Sequence, residues 1–208
     1  MFEGATVLDL ACHDCRWTFA AIDAGAKFVT GIEVRPDLVN ASEQNMRELG
    51  VRSDRYRLLE GDMFTFRQAF EDHCDVVLCL GILYHTARHV ELIELMSRTG
   101  ASTIIIDTMF ADRSGCLSLI GLENSEPSAN GLDNIGVRDG KILFSLPTIE
   151  ALTLMLDHFG YAVRRVDWQM LIAGLDLSPD LTSGPSANNP VGDYARNLRG
   201  TFVATKKR

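Results

Sequence analysis

Four carboxylates and one imidazole stand within or just past short apolar runs, where a side chain leaves a buried strand and can meet a ligand. They are Asp9, Glu33, Asp62, Asp107 and His85. A carboxylate that closes a strand beside a tight turn can accept both hydroxyls of a ribose. An imidazole titrates near neutrality and can take the proton from a hydroxyl nucleophile. Asp107 with Glu123 or Glu126 offers the oxygen ligands that would hold Mg²⁺ against a hydroxyl. Cys12-His13-Asp14-Cys15 has the spacing of a redox dithiol or half a zinc site. Tetrahedral zinc needs four ligands, and no second C-x-x-C completes the set. A thioredoxin-like dithiol would need a different chain order, so this stretch reads instead as a ligand-binding turn.

The elements that must position these groups follow from pattern. Thr6–Leu10 is a β-branched and leucine run that reads as a buried strand. After a polar turn, Arg16–Ala24 carries Trp17, Ala20, Ala21 and Ala24 at helical spacing. Phe28–Ile32 is a second buried strand and runs into Glu33. Strand, turn, helix and acid-terminated strand make the βαβ unit that holds a nucleoside at the carboxyl ends of parallel strands. A helix over 36–49 follows, with Leu38, Ala41, Met46 and Leu49 as core positions and Gly50 as its stop. Tyr56–Leu59 is a third strand leading to Gly61-Asp62-Met63, and Phe64–Phe70 a short helix. Asp75–Leu80 is a fourth strand whose exit loop is Gly81-Ile82-Leu83-Tyr84-His85-Thr86. A helix over Val90–Arg98 places Val90, Ile93 and Met96 or Ser97 on one side, and Ser102–Asp107 is a fifth strand.

From 109 to 146 the pattern fails, apart from a short strand at Lys141–Phe144. A long irregular insertion at the carboxyl edge of a sheet is usually functional, and this one reads as a substrate-covering lid. Thr148–Phe159 returns as a helix stopped by Gly160. Tyr161–Trp168 and Thr201–Thr205 are two last strands, separated by a Pro/Ser/Asn loop over 176–193. Strands alternating with helices make an α/β doubly wound architecture, one domain over 1–208.

Composition narrows the partners. The 208 residues are 46% hydrophobic and 23% charged, enough for one filled core. No apolar run reaches the roughly 18 residues that span a bilayer, so a cytoplasmic protein is the expectation. The net charge of −8 disfavours a nucleic-acid substrate. The cysteines at 12, 15, 74, 79 and 116 read as free thiols in a reducing compartment. A small-molecule or carbohydrate substrate is expected, and a homodimer is compatible with this composition.

Asp9-Leu10-Ala11-Cys12-His13-Asp14-Cys15 falls where class I S-adenosylmethionine-dependent methyltransferases carry Asp-x-Gly-x-Gly-x-Gly, and the chain resembles that family. All three glycines are replaced. Ala11 through Phe19 also resembles a subgroup turn, Gly-x-x-Asp-Gly-x-x-x-Phe. The replacements argue against a dinucleotide, because a pyrophosphate needs bare backbone N–H groups. The resemblance implies a Rossmann-like seven-stranded sheet with its last strand antiparallel, and S-adenosylmethionine as cofactor. It implies cofactor contacts from Asp9, Ala11, His13, Asp14 and Trp17 in the first turn. Glu33 with Val34 would hold the ribose, Asp62 with Met63 would read the adenine, and Leu80 with Gly81 would meet the methionine end. His85, Tyr84 and Asp107 then flank the transferring methyl, with Asp107 and Glu123 as a Mg²⁺ pair. Within the family the chain is similar to small mycobacterial sugar O-methyltransferases of the methylmannose polysaccharide type. More distantly it resembles tRNA wobble-uridine modification enzymes. Methylation of a sugar hydroxyl is the expectation; a tRNA-modifying enzyme and a non-catalytic partner subunit are the alternatives.

Overall fold

The computed structural model of the chain describes residues 1–124, 137–175 and 190–208. Seven strands form one sheet: β1 (Thr6–Leu10), β2 (Phe28–Glu33), β3 (Tyr56–Glu60), β4 (Val76–Leu80), β5 (Thr103–Met109), β8 (Tyr161–Arg165) and β9 (Arg199–Lys206). Their order is β3-β2-β1-β4-β5-β9-β8. β1 to β5 pair in parallel, and β9 lies antiparallel between β5 and β8. The chain leaves β1 toward β2 and β3, then returns to lay β4 on its other side. That reversal is the switch point at which such sheets open a crevice at their carboxyl ends.

Alternation along the strands sorts the core. Leu8, Leu10, Val77, Cys79, Ile104 and Ile106 face the layer that buries Phe70, Leu92, Ile93, Leu152, Leu156 and Tyr161. Val7, Val29, Val76 and Leu78 face the other side with Ala21 and Ala26. Asp9 shares the face of Val7, so its carboxylate is directed under the first helix and not along the strand axis.

Several helices bury only part of the face the sequence implies: Ala21, Met46, Ile93 and Met96 are buried as expected, and other positions are not. In α1 (Arg16–Asp23) the buried residues are Thr18 and Ala21, whereas Trp17 is 51% exposed. In α2 (Pro36–Glu48) they are Ser42 and Met46, and Ala41 and Leu49 are exposed. α4 (His89–Arg98) buries His89, Leu92, Ile93, Leu95 and Met96 and turns Val90 outward. The reason for α2 is polar: Ser42 Oγ donates to the His13 carbonyl and Asn45 Nδ2 to the Asp14 carbonyl, tying the helix to the first turn. α3 is shorter than expected (Arg67–Glu71), and α5 runs Ile149–His158 with Thr148 Oγ1 accepting from the Ala151 N–H.

The insertion contains more structure than its composition suggests. β6 (Ser118–Asn124), absent from the sequence reading, pairs antiparallel with β7 (Lys141–Pro147) over seven residue pairs. Its glycine and polar content masked it. The strand over 161–168 ends at Arg165, and Trp168 starts α6 (Trp168–Ala173). Of the loop expected over 176–193, residues 176–189 lie outside the described residues, and α7 (Pro190–Ala195) follows. No described helix is long and apolar enough to cross a membrane.

The α5 face gives a direct check. Leu156 is fully buried and Leu154 is 56% exposed. Urea denaturation should show Leu156→Ala costing about 2–5 kcal/mol and Leu154→Ala under about 0.5 kcal/mol. Equal losses would place the face wrongly.

Candidate functional site

The turn after β1 is the floor of the site. Ala11, His13 and Cys15 have φ of 52°, 54° and 63°, the left-handed region that favours glycine. These are the three positions at which the resemblance expects glycine. The backbone therefore keeps the glycine-type path with side chains on it. Each such residue costs about 1–2 kcal/mol, and the path persists because its polar groups are tied down. The Cys12 N–H donates to the Ile32 carbonyl at 2.9 Å, and the Cys15 N–H to the Cys12 carbonyl at 2.9 Å. Ser42 and Asn45 hold the carbonyls of His13 and Asp14 from the far side.

Glu33 ends β2 and is 3% exposed. Its Oε2 accepts the His13 N–H at 3.0 Å, and its Oε1 accepts the Arg35 N–H at 3.1 Å and Arg35 Nε at 3.0 Å. A carboxylate has about four acceptor positions, so three donors leave little free. Arg35, which the sequence reading did not single out, occupies two of those acceptor positions.

Two cavities open at the carboxyl edge and share Ala11, Arg35 and Ile82. The narrow one, about 40 Å³, lies over Glu33, Val34, Gly61, Asp62 and Met63. The wider one, about 260 Å³, is bounded by His13, Trp17, Leu80, Gly81, Tyr84 and His85. Asp62 Oδ1 also accepts the Phe64 N–H at 2.9 Å, which fixes the loop after β3.

His85 closes the wide cavity. It sits in a 3₁₀ turn (Leu83–His85) and is buried. Its Nδ1 lies 2.8 Å from Glu123 Oε1 on β6. An ionised Glu123 can only accept, so in the neutral imidazole Nδ1 would be the protonated nitrogen and Nε2 the acceptor. Burial pushes the neighbouring Tyr84 phenol above its ordinary pKa, so it remains a donor.

Three expected site residues are engaged elsewhere. Asp9 is 1% exposed and its Oδ2 accepts Thr18 Oγ1 at 2.7 Å, so it braces α1 and borders neither cavity. Asp14 pairs with Arg16 at 2.6 Å, which holds its carboxyl down at about 2, and it too borders neither cavity. Asp107 accepts from Arg199 Nε at 2.5 Å, Tyr194 Oη at 2.6 Å and Thr201 Oγ1 at 2.5 Å. With Asp107 committed to three donors and Glu123 to His85, the Mg²⁺ pair does not form. Among the described residues no group of three or more His, Cys, Asp or Glu could hold a metal ion. Glu126 lies outside the described residues. Arg199 and Tyr194 carried no sequence signal: β9 sets Thr201 opposite Asp107 and Arg199 two positions away, 92 residues along the chain.

The sequence model of a family described as "Methyltransferase domain" matches residues 2–113. A tRNA U34 carboxymethyltransferase of Campylobacter curvus (strain 525.92) is 24% identical over 153 residues, covering 72% of this chain. The chain spans only 46% of that curated relative's length. Among solved structures, the N-terminal domain of EvdMO1 in the presence of SAH and D-fucose has a TM-score of 0.68 at 20% identity. That match covers 99% of this chain and 77% of the other. The magnesium protoporphyrin IX methyltransferase of Synechocystis PCC 6803 with bound SAH has a TM-score of 0.61 at 14% identity, covering 99% and 76%. Both neighbours share the fold.

Asp9 yields a pH signature. Burial pushes its carboxyl from 3.8 up to about 7, and the negative charge of Glu33 adds to the rise. The unfolded chain releases this proton near the ordinary value and the folded chain only near 7, so this group's contribution to stability falls as pH rises between them. Asp9→Asn keeps an oxygen for Thr18 and removes the charge. It should melt about 5 °C or more above the parent at pH 8 and within about 2 °C of it at pH 4. A difference independent of pH would contradict the assignment.

Proposed function

The chain belongs to the methyltransferase-domain family, and from that premise we propose that it moves a methyl group from S-adenosylmethionine to a hydroxyl of a small polar acceptor such as a sugar. The residues fit the cofactor. The narrow cavity has apolar walls in Ile32, Met63 and Ile82 and an acid at Asp62, suited to an adenine. Glu33 stands beside it for the ribose, once Arg35 yields its place. The glycine-type path of the first turn lies under the wide cavity, which has room for the methionine end and an acceptor. Bound there, S-adenosylmethionine supplies an electrophilic methyl group.

The protein's own part is alignment and proton removal. A hydroxyl nucleophile must shed its proton as the new bond forms, and His85 Nε2 is the acceptor at the cavity wall. Glu123 fixes the ring through its contact with Nδ1, the orienting role an acid plays behind a histidine base. Collinear alignment of nucleophile and methyl carries much of the remaining rate. The hairpin β6–β7 brings Glu123 to His85, so the described part of the insertion supplies the group that orients the base. The His85–Glu123 pair is the observation that carries this reading. A further support is a neighbour whose structure was determined in the presence of SAH and D-fucose.

The curated relative favours a second reading, a tRNA-modifying enzyme. At a net charge of −8 such an enzyme needs basic surface from a partner.

Calorimetry should show SAH binding, weakened about tenfold or more by Glu33→Ala. Labelled methyl transfer to mono- and oligosaccharides should survive chelation of divalent ions. His85→Ala should lower turnover about 10²-fold and Glu123→Gln about tenfold, with SAH affinity unchanged in both. Turnover untouched in His85→Ala would refute the base. Methylation of tRNA, with salt-sensitive binding, would favour the second reading, and no SAH binding a non-catalytic subunit.

A further inference from the structure

Cys12 and Cys15 flank the residue whose N–H holds Glu33, and the mechanism above makes no use of their thiols. Both are buried free thiols. Their sulfurs stand 3.7 Å apart. The Cys15 N–H donates to the Cys12 carbonyl, so residues 12–15 form a turn whose Cα ends lie within about 7 Å. Disulfides span Cα separations up to about 6.8 Å and need sulfurs at about 2.05 Å. A disulfide between them would bring the two sulfurs together from 3.7 Å within one turn. A small oxidant has a route, because Cys12 borders the wide cavity.

We propose that Cys12 and Cys15 are a redox modification site that closes to a reversible disulfide inside the first turn. With hydrogen peroxide as oxidant, the thiolate of one cysteine attacks a peroxide oxygen. The O–O bond breaks, the departing oxygen leaves as water after taking a proton, and a sulfenic acid remains. The second thiol attacks that sulfur, the S–S bond forms, the S–O bond breaks, and its proton leaves with the hydroxyl as a second water. Two electrons pass from the sulfurs to the peroxide. A thiol reductant reverses the change.

The turn that closes is the one that positions Glu33, and the cavity that admits peroxide is the one assigned above to the methionine end. An occupied site should therefore shield the pair. Only this shielding rests on the proposed function; the disulfide itself does not.

The test uses the full chain carrying Cys116→Ser, which removes the exposed thiol. The protein is treated with hydrogen peroxide, with and without saturating SAH, then alkylated and digested with trypsin. Residues 1–16 form one tryptic peptide containing both cysteines. The proposal expects this peptide to lose two hydrogens, resist alkylation and recover with dithiothreitol. Cys12→Ser should abolish the change, and SAH should slow it at least fivefold. Both cysteines remaining open to alkylation, or advancing to sulfinic acid without a cross-link, would overturn it. A disulfide that forms equally fast with SAH would uphold the site but refute entry through the cavity, and calorimetry reads SAH binding separately.

Discussion

The structure depends on one constraint: the chain must turn between β1 and α1 along a path that L-residues resist, and here it does so without glycine. Ala11, His13 and Cys15 all adopt the left-handed conformation. A path this costly holds only when neighbouring groups over-determine it. The hydrogen bonds from Cys12, Cys15, Ser42 and Asn45 do that, and they explain why α2 buries a serine where an apolar residue would be expected. The turn also delivers the His13 N–H to Glu33. Local backbone strain, helix placement and the orientation of Glu33 are thus one coupled arrangement.

A second polar arrangement stands at the other end of the carboxyl edge. Asp107 gathers Arg199, Tyr194 and Thr201, and the Arg199 guanidinium lies 5.6 Å from the centre of the Tyr84 ring. A buried carboxylate with three donors is fully compensated, which suits it to holding neighbouring side chains in place. Between the two arrangements lie the exits of β1 and β4, where strand order reverses and a ligand crevice opens. His85 reaches this space from β4's exit turn and Glu123 from the insertion.

Much of this was legible in the chain. Buried strands show as apolar runs, and the acid closing β2 follows from its position at Glu33. The seven-stranded order with an antiparallel last strand came from the resemblance carried by the first turn. Helix faces were less legible, because Ser42 and Thr18 are buried for their hydroxyls and periodicity counts only apolar residues. β6 was hidden because Gly121, Glu123 and Asn124 dilute its apolar pattern, and its stability comes from pairing with β7. Asp9, Asp14 and Asp107 were assigned from their places along the sequence, whereas the partners that claim them depend on pleat and register. Arg35 was missed although it lies two residues past Glu33, since only the turn geometry brings its side chain back to the acid.

In the proposed function the glycine-free turn is the cofactor floor and Glu33 grips the ribose. A crystal structure with SAH tests it most directly. Adenine is expected over Asp62 and Met63, ribose hydroxyls on Glu33, and the Arg35 side chain displaced from that carboxylate. Ala11, His13 and Cys15 should keep their left-handed backbone. SAH lodged away from Glu33, or a turn whose Cys12 and His13 side chains fill the space, would contradict it.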